Sequence, residues 1–254
     1  MAVGTPVPDA AGASPASSAA APLEAATGFR RELRRAGAIV WKDLTAERRT
    51  KANFNAVAFL SALILLLFGF ALGPEAETVR VAAGGVIWLT ILFSGVLSFN
   101  RSYEQETEEG ALDALLLHPG DRRAIFIGKL VANLVFLLLV EAVLIPVAMI
   151  LYDLPVGREL PSLVGVIGLG TLGFVTLGTF YAAMTSRMRA REVLLPLLLF
   201  PMLVPLLVGA VEATGALLAG DAMGNSGAWI RLLIVFDLVF LVTTVFAFEY
   251  VIEE

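Results

Sequence analysis

Apolar and polar positions fall into blocks along this chain. Six stretches of about 20 or more mostly uncharged residues, each long enough for a helix to cross a bilayer, cover residues 54–72, 81–99, 124–152, 160–185, 193–218 and 229–250. Each satisfies its own backbone hydrogen bonds as a helix, which hydrocarbon demands. Ahead of them Phe29, Leu33, Ala36, Val40 and Leu44 recur at three- and four-residue steps and form one helical stripe. Arg30, Arg31, Arg34, Arg35 and Lys42 fall elsewhere around that helix, with Trp41 near its end. This pattern predicts an amphipathic helix lying in the headgroup region. Residues 1–27 are Ala, Pro, Ser and Gly with almost no large apolar side chain, which reads as a disordered tail; they lack the basic start and compact apolar core of a secretory signal. The expected organisation is a tail (1–27), an interfacial helix (28–51) and a six-span domain (52–254). The fold class is all-α integral membrane.

Composition agrees. The 254 residues are 58% hydrophobic and 16% charged, and mean hydropathy is +0.83; a soluble domain carries about a quarter charged residues. The net charge of −5 sits in loops and points to no nucleic-acid partner. Zero cysteines exclude disulfides, thiolate metal sites and covalent haem attachment through Cys-x-x-Cys-His. The single histidine, His118, argues against a His-based metal or haem site. No metal site and no resident cofactor are expected.

Lys and Arg set the orientation. Arg30, Arg31, Arg34, Arg35, Lys42, Arg48, Arg49 and Lys51 precede the first span. Arg101, Arg122, Arg123 and Lys129 flank the second connection, and Arg187, Arg189 and Arg191 lie in the fourth. Only Arg80, Arg158 and Arg231 fall on the other side. Both termini and the second connection are therefore expected in the cytoplasm, and the outer loops are short.

The connection at residues 100–123 is the main polar segment between spans. It opens with Glu104, Glu106, Glu108 and Glu109, turns apolar at Leu112, Leu115, Leu116 and Leu117, and breaks at Pro119-Gly120. Acidic residues early in a helix suit its positive N-terminal end, and Pro-Gly stops it. The expected course is a few helical turns outside the bilayer, then re-entry with Asp121 capping the next span.

The order Glu104-x-x-x-x-Glu109-Gly110-x-Leu112-x-x-Leu115-Leu116-x-x-Pro119 resembles the cytoplasmic coupling segment of ABC exporter permeases. With Gly85-Val86-Ile87-Trp88, Ile125-Phe126-Ile127-Gly128-Lys129 and the proline-rich stretch 193–205, the chain more narrowly resembles the CcmB family, haem exporter protein B of cytochrome c maturation, over about residues 39–250. The resemblance implies a non-catalytic permease subunit of the bacterial inner membrane. It implies a separate ABC ATPase subunit that binds the ATP, a haem-handling membrane protein and a periplasmic haem chaperone. Haem would be the cargo, carried across or relayed. Glu104, Glu108, Glu109, Gly110, Leu112, Leu115, Leu116 and Pro119 would contact the ATPase. Two copies of the permease facing each other, or one copy facing a different membrane partner, both satisfy such an architecture. Independently of the likeness, no Gly-x-x-x-x-Gly-Lys-Ser/Thr occurs; Gly128-Lys129 lacks the glycine loop and the hydroxyl.

Three acids lie inside spans: Glu141, Glu212 and Asp237. Intramembrane charge is costly and marks a bundle interior or a watery path; Glu212 and Asp237 could equally sit near outer ends. Gly165, Gly168, Gly170, Gly173 and Gly178 thin one span for close packing, and Pro196, Pro201 and Pro205 predict kinks. Trp88 reads as core packing. Other function classes fit the same spans: an ABC permease for lipid, drug or polysaccharide, a proton-coupled secondary transporter using Glu141 and Asp237, and a non-transporting scaffold.

Overall fold

The computed structural model describes residues 34–49, 51–73, 75–108, 122–154, 157, 159–186, 188, 190–221 and 224–251. Residues 1–33, with the expected tail and the Phe29 and Leu33 positions of the stripe, and 109–121, with His118 and the Asp121 cap, lie outside them.

All regular structure among the described residues is helical. α1 covers residues 34–49. It is followed by α2 (Ala52–Leu72), α3 (Ala76–Glu108), α4 (Arg122–Leu151), α5 (Leu160–Thr185), α6 (Arg191–Leu218) and α7 (Ser226–Val251). The last six are long and apolar enough to cross a membrane, and they match the six apolar blocks to within a few residues, except that α3 extends well past its block.

Helix ends follow local chemistry. Lys51, at φ 52°, turns the chain between α1 and α2, and the Glu47 carboxylate accepts from the Phe54 N–H at 2.7 Å, satisfying one of the free donors at the start of α2. α2 stops at Gly73, whose φ of 77° suits a residue without Cβ. Asp221 accepts from the Ser226 backbone N–H at 3.2 Å and from its hydroxyl at the start of α7. The Ser226 hydroxyl bond, followed by the backbone bonds, holds the Asp221 carboxyl below its usual range.

α5 is the central helix. It packs on α3, α4, α6 and α7, whereas among the described membrane helices α2 leans mainly on α3 and α4. α6 buries Leu195, Leu199, Leu203, Leu206, Ala210 and Ala213 along one side and exposes Leu197, Val204 and Val208 on the other, as a helix with one face on a bundle and one toward lipid must. It is continuous through Pro196, Pro201 and Pro205.

Two expectations change. α3 runs unbroken for 33 residues to Glu108, because no glycine or proline occurs between Phe99 and Gly110. Glu104, Glu106 and Glu108 therefore end a long helix instead of beginning a short one, at the terminus whose dipole does not favour acids. α1 does more than rest in headgroups. Its Ala36 and Ile39 are buried against Gly128 of α4, where an added Cβ would lie 3.0 Å from the Ile39 Cβ and 3.1 Å from the Ala36 carbonyl oxygen. Trp41, 72% exposed, projects away from the bundle.

Candidate functional site

Two places gather the sequence-predicted polar residues. The first is the end of the bundle that carries the α3–α4 connection. Glu104 and Glu108 occupy the last turns of α3; Glu109, Gly110, Leu112, Leu115, Leu116 and Pro119 lie outside the described residues. α4 resumes at Arg122, and at the residue next to the Gly128 seat of α1 comes an ion pair that pattern alone did not reveal. Lys129 Nζ lies 2.9 Å from Asp43 Oδ2, with side chains only 3% and 18% exposed. A lysine inside an apolar span thus has its carboxylate on the preceding amphipathic helix. The available signal was one buried cation beside a helix otherwise rich in cations. The pair and the glycine seat fasten α1 to the first turns after the connection, so the two form one mechanical unit.

The second place is the middle of α5. Gly170 receives the indole of Trp88 from α3: a Cβ there would collide with the ring edge at Cη2. Trp88 is 1% exposed and its Nε1 donates to Thr214 Oγ1 of α6 at 2.9 Å. Thr171 Oγ1 donates to Glu141 Oε1 of α4 at 2.7 Å. Gly173 makes room for the Asp237 carboxyl of α7, with Leu206 of α6 at 2.7 Å from where its Cβ would be. Thr179 accepts from Asn133 Nδ2 of α4 at 3.0 Å. Within about three turns, α5 touches every helix it packs against through a small or hydroxylated residue.

The three intramembrane acids separate. Glu141 is 2% exposed and Asp237 5%. Asp237 lies at the midpoint of its span, Ser226–Phe248, and not near an outer end. Thr171 and Gly173 are two residues apart, about 3 Å of rise and about 200° of rotation on an α-helix. Glu141 and Asp237 therefore approach α5 at one height from nearly opposite sides, with the helix between them. Glu212 is exposed on α6 and joins neither. Among the described residues Glu141 Oε2 and both Asp237 carboxyl oxygens have no hydrogen-bond partner. Trp88 is packing, as its pattern suggests. Thr171, Thr214 and Gly173, which complete these contacts, carry no sequence signal that distinguishes them from neighbouring small residues.

At the opposite end of the bundle, Leu66, Gly69, Phe70, Gly73, Val79, Leu151, Tyr152 and Asp153 line a groove of about 390 Å³. The Tyr152 hydroxyl donates to the Leu65 carbonyl at 2.7 Å, and Arg80 lies 3.6 Å from Asp153.

Comparison with known proteins follows the same spans. The chain is similar to the heme exporter protein B of Paracoccus denitrificans, 33% identical over 176 residues, covering 69% of this chain and 80% of the relative. It is similar to that of Rhodobacter capsulatus at 31% over 175 residues, with 69% and 80% covered. For that of Escherichia coli the identity is 30% over 155 residues, with 61% and 70% covered. A family model described as CcmB protein matches residues 34–254, from the first turn of α1 through all six membrane helices, and the chain accordingly belongs to the CcmB family.

Proposed function

We propose that this chain is the membrane permease subunit of an ATP-driven complex for haem export in c-type cytochrome biogenesis. The observation that carries the reading is the family match across α1 and all six spans, together with relatives named heme exporter protein B. The chain is a multi-pass membrane protein and carries no nucleotide-binding motif of its own, so work on the cargo draws on a separate ATPase subunit.

The α3–α4 connection is the contact for that subunit. Its acidic residues end α3, where the helix dipole offers them nothing; a basic partner surface supplies what is missing. Leu112, Leu115 and Leu116 add an apolar anchor. Push delivered there reaches α4 directly, and α1 through the Gly128 seat and the Lys129–Asp43 pair. Both termini and this connection face the cytoplasm, by the bias of Lys and Arg. A haem-handling membrane protein and a periplasmic haem chaperone complete the path, with haem as cargo.

The test is co-purification. Glu109→Lys and Leu115→Asp should each release the ATPase while the permease remains in the membrane. If both variants keep it at wild-type levels, the contact lies elsewhere. Deletion of the chain should abolish c-type cytochromes; an effect confined to lipid, drug or polysaccharide export would transfer the cargo assignment. Transport by the isolated chain without ATP, stopped by Glu141→Gln, would favour a proton-driven carrier.

A further inference from the structure

We propose that the groove at the end of the bundle away from the α3–α4 connection is a phospholipid site, with an acyl chain in its trough and a phosphatidylethanolamine headgroup at its mouth. The trough is fixed in place. Tyr152 lies at its back, 3% exposed, with its hydroxyl donated to the Leu65 carbonyl of α2 at 2.7 Å. Gly69 faces it across the gap: a Cβ there would stand 3.3 Å from the Tyr152 ring, so the missing side chain leaves the room. Leu66 and Phe70 line the α2 side, 45% and 83% exposed, and Leu151 the α4 side. The volume of about 390 Å³ is that of a small-molecule pocket.

The mouth carries both signs of charge. Asp153 follows α4 in the left-handed conformation, φ 47°, which a short polar residue tolerates. The Leu154 N–H on the Met149 carbonyl at 3.0 Å closes the turn around it. Its side chain is 94% exposed, and that of Arg80 on α3, 42% exposed, lies 3.6 Å away. Arg80 also donates to the Asp153 carbonyl at 3.5 Å. Glu75, in the chain between the lining residues Gly73 and Val79, is a second exposed carboxylate.

Position along the spans decides the occupant. Leu66 and Phe70 lie inside the span Ala52–Leu72, Leu151 ends Arg123–Leu151, and Arg80 falls in the first turn of Thr78–Arg101. The trough is therefore in hydrocarbon and the charged mouth at its edge. An amphiphile satisfies both; a polar solute would leave the trough unfilled, and an apolar one would leave the charges unmatched. The lipid phosphate takes Arg80, in place of an exposed ion pair that contributes little. The ethanolamine ammonium, with three N–H donors, takes Asp153. Phosphatidylglycerol offers the phosphate without the cation, and sets its net negative charge against Asp153 and Glu75. The site is independent of the cargo the chain serves.

The full-length chain in detergent is titrated with phosphatidylethanolamine and with phosphatidylglycerol of identical acyl chains, and bound lipid is counted by native mass spectrometry. Wild type should bind phosphatidylethanolamine about two- to fivefold more tightly, the range of one exposed ion pair. Asp153→Asn should level the two lipids. Leu66→Trp, which fills the trough from a half-exposed position, should weaken both, as should Arg80→Gln. Arg231→Gln, which removes an exposed cation of α7 outside the groove, should weaken neither. Equal wild-type affinity for the two lipids overturns the headgroup assignment and with it the site. Unchanged binding by Leu66→Trp, or equal losses with Arg80→Gln and Arg231→Gln, overturns it as well.

Discussion

Alanine at Gly170 is the sharpest test of how this bundle is held together. In a helix interior Ala is better than Gly by about 1 kcal/mol, so a substitution with open space should stabilise. At Gly170 the new Cβ would fall among the ring atoms of Trp88, 2.8 Å from Cζ2 and 2.9 Å from Cζ3, where carbon atoms rest at about 3.5–4.0 Å. Cη2 lies closer still, so the indole must retreat by about 1.5 Å. It is 1% exposed and tied to Thr214 at 2.9 Å. Overpacking costs about 1–3 kcal/mol, and a buried N–H pulled off its acceptor about 1–3 more. Less the propensity gain, the net loss is roughly 3 kcal/mol. Gly165 and Gly168 lie on the same helix, and a Cβ at either meets nothing within 4 Å; alanine there should gain about 0.5–1 kcal/mol. Equilibrium unfolding of the full-length chain in mixed dodecyl-maltoside and SDS micelles reads all three. Trp88→Leu should relieve most of the Gly170→Ala penalty, which ties the effect to the ring. If Gly170→Ala unfolds together with Gly165→Ala, the Trp88–Gly170 seam is not packed as described.

The same unfolding assay checks the pair between α1 and α4. Asp43→Ala, which takes a carboxylate from a buried ammonium, should cost roughly 3 kcal/mol. Lys129→Met should cost less because the 18%-exposed Asp43 side chain can turn to water, and the double variant should recover most of the loss. Thr214→Val should cost about 1–3 kcal/mol by stranding the Trp88 N–H, while Thr214→Ser keeps the acceptor and should stay within about 1 kcal/mol of wild type. At the start of α7, Ser226 holds Asp221 below its ordinary value of 3.8, so the capping contribution is full above that value and vanishes as pH falls through the lowered one. Amide exchange at residues 226–229 should quicken below about pH 4; in Asp221→Asn it should lose that dependence.

What the sequence determined by itself is the class and the spans. Six apolar blocks read as six membrane helices because length and lack of charge are local properties, and hydrocarbon leaves a lone segment no other way to satisfy its backbone. The family likeness was equally local. The extent of α3 should have been legible too: with no breaker before Gly110, the acids at 104–108 continue a helix. Tertiary structure decided which small residues matter. Gly165 and Gly170 look alike in the chain, yet only one has an indole against it. It also decided that Lys129 belongs with Asp43, that Glu212 faces outward, and that Glu141 and Asp237 meet α5 at one height from opposite sides. The physical reason is rotation and partner: in a uniformly apolar helix, composition carries no phase, so which face a residue takes, and what stands across from it, is set only when the helices pack.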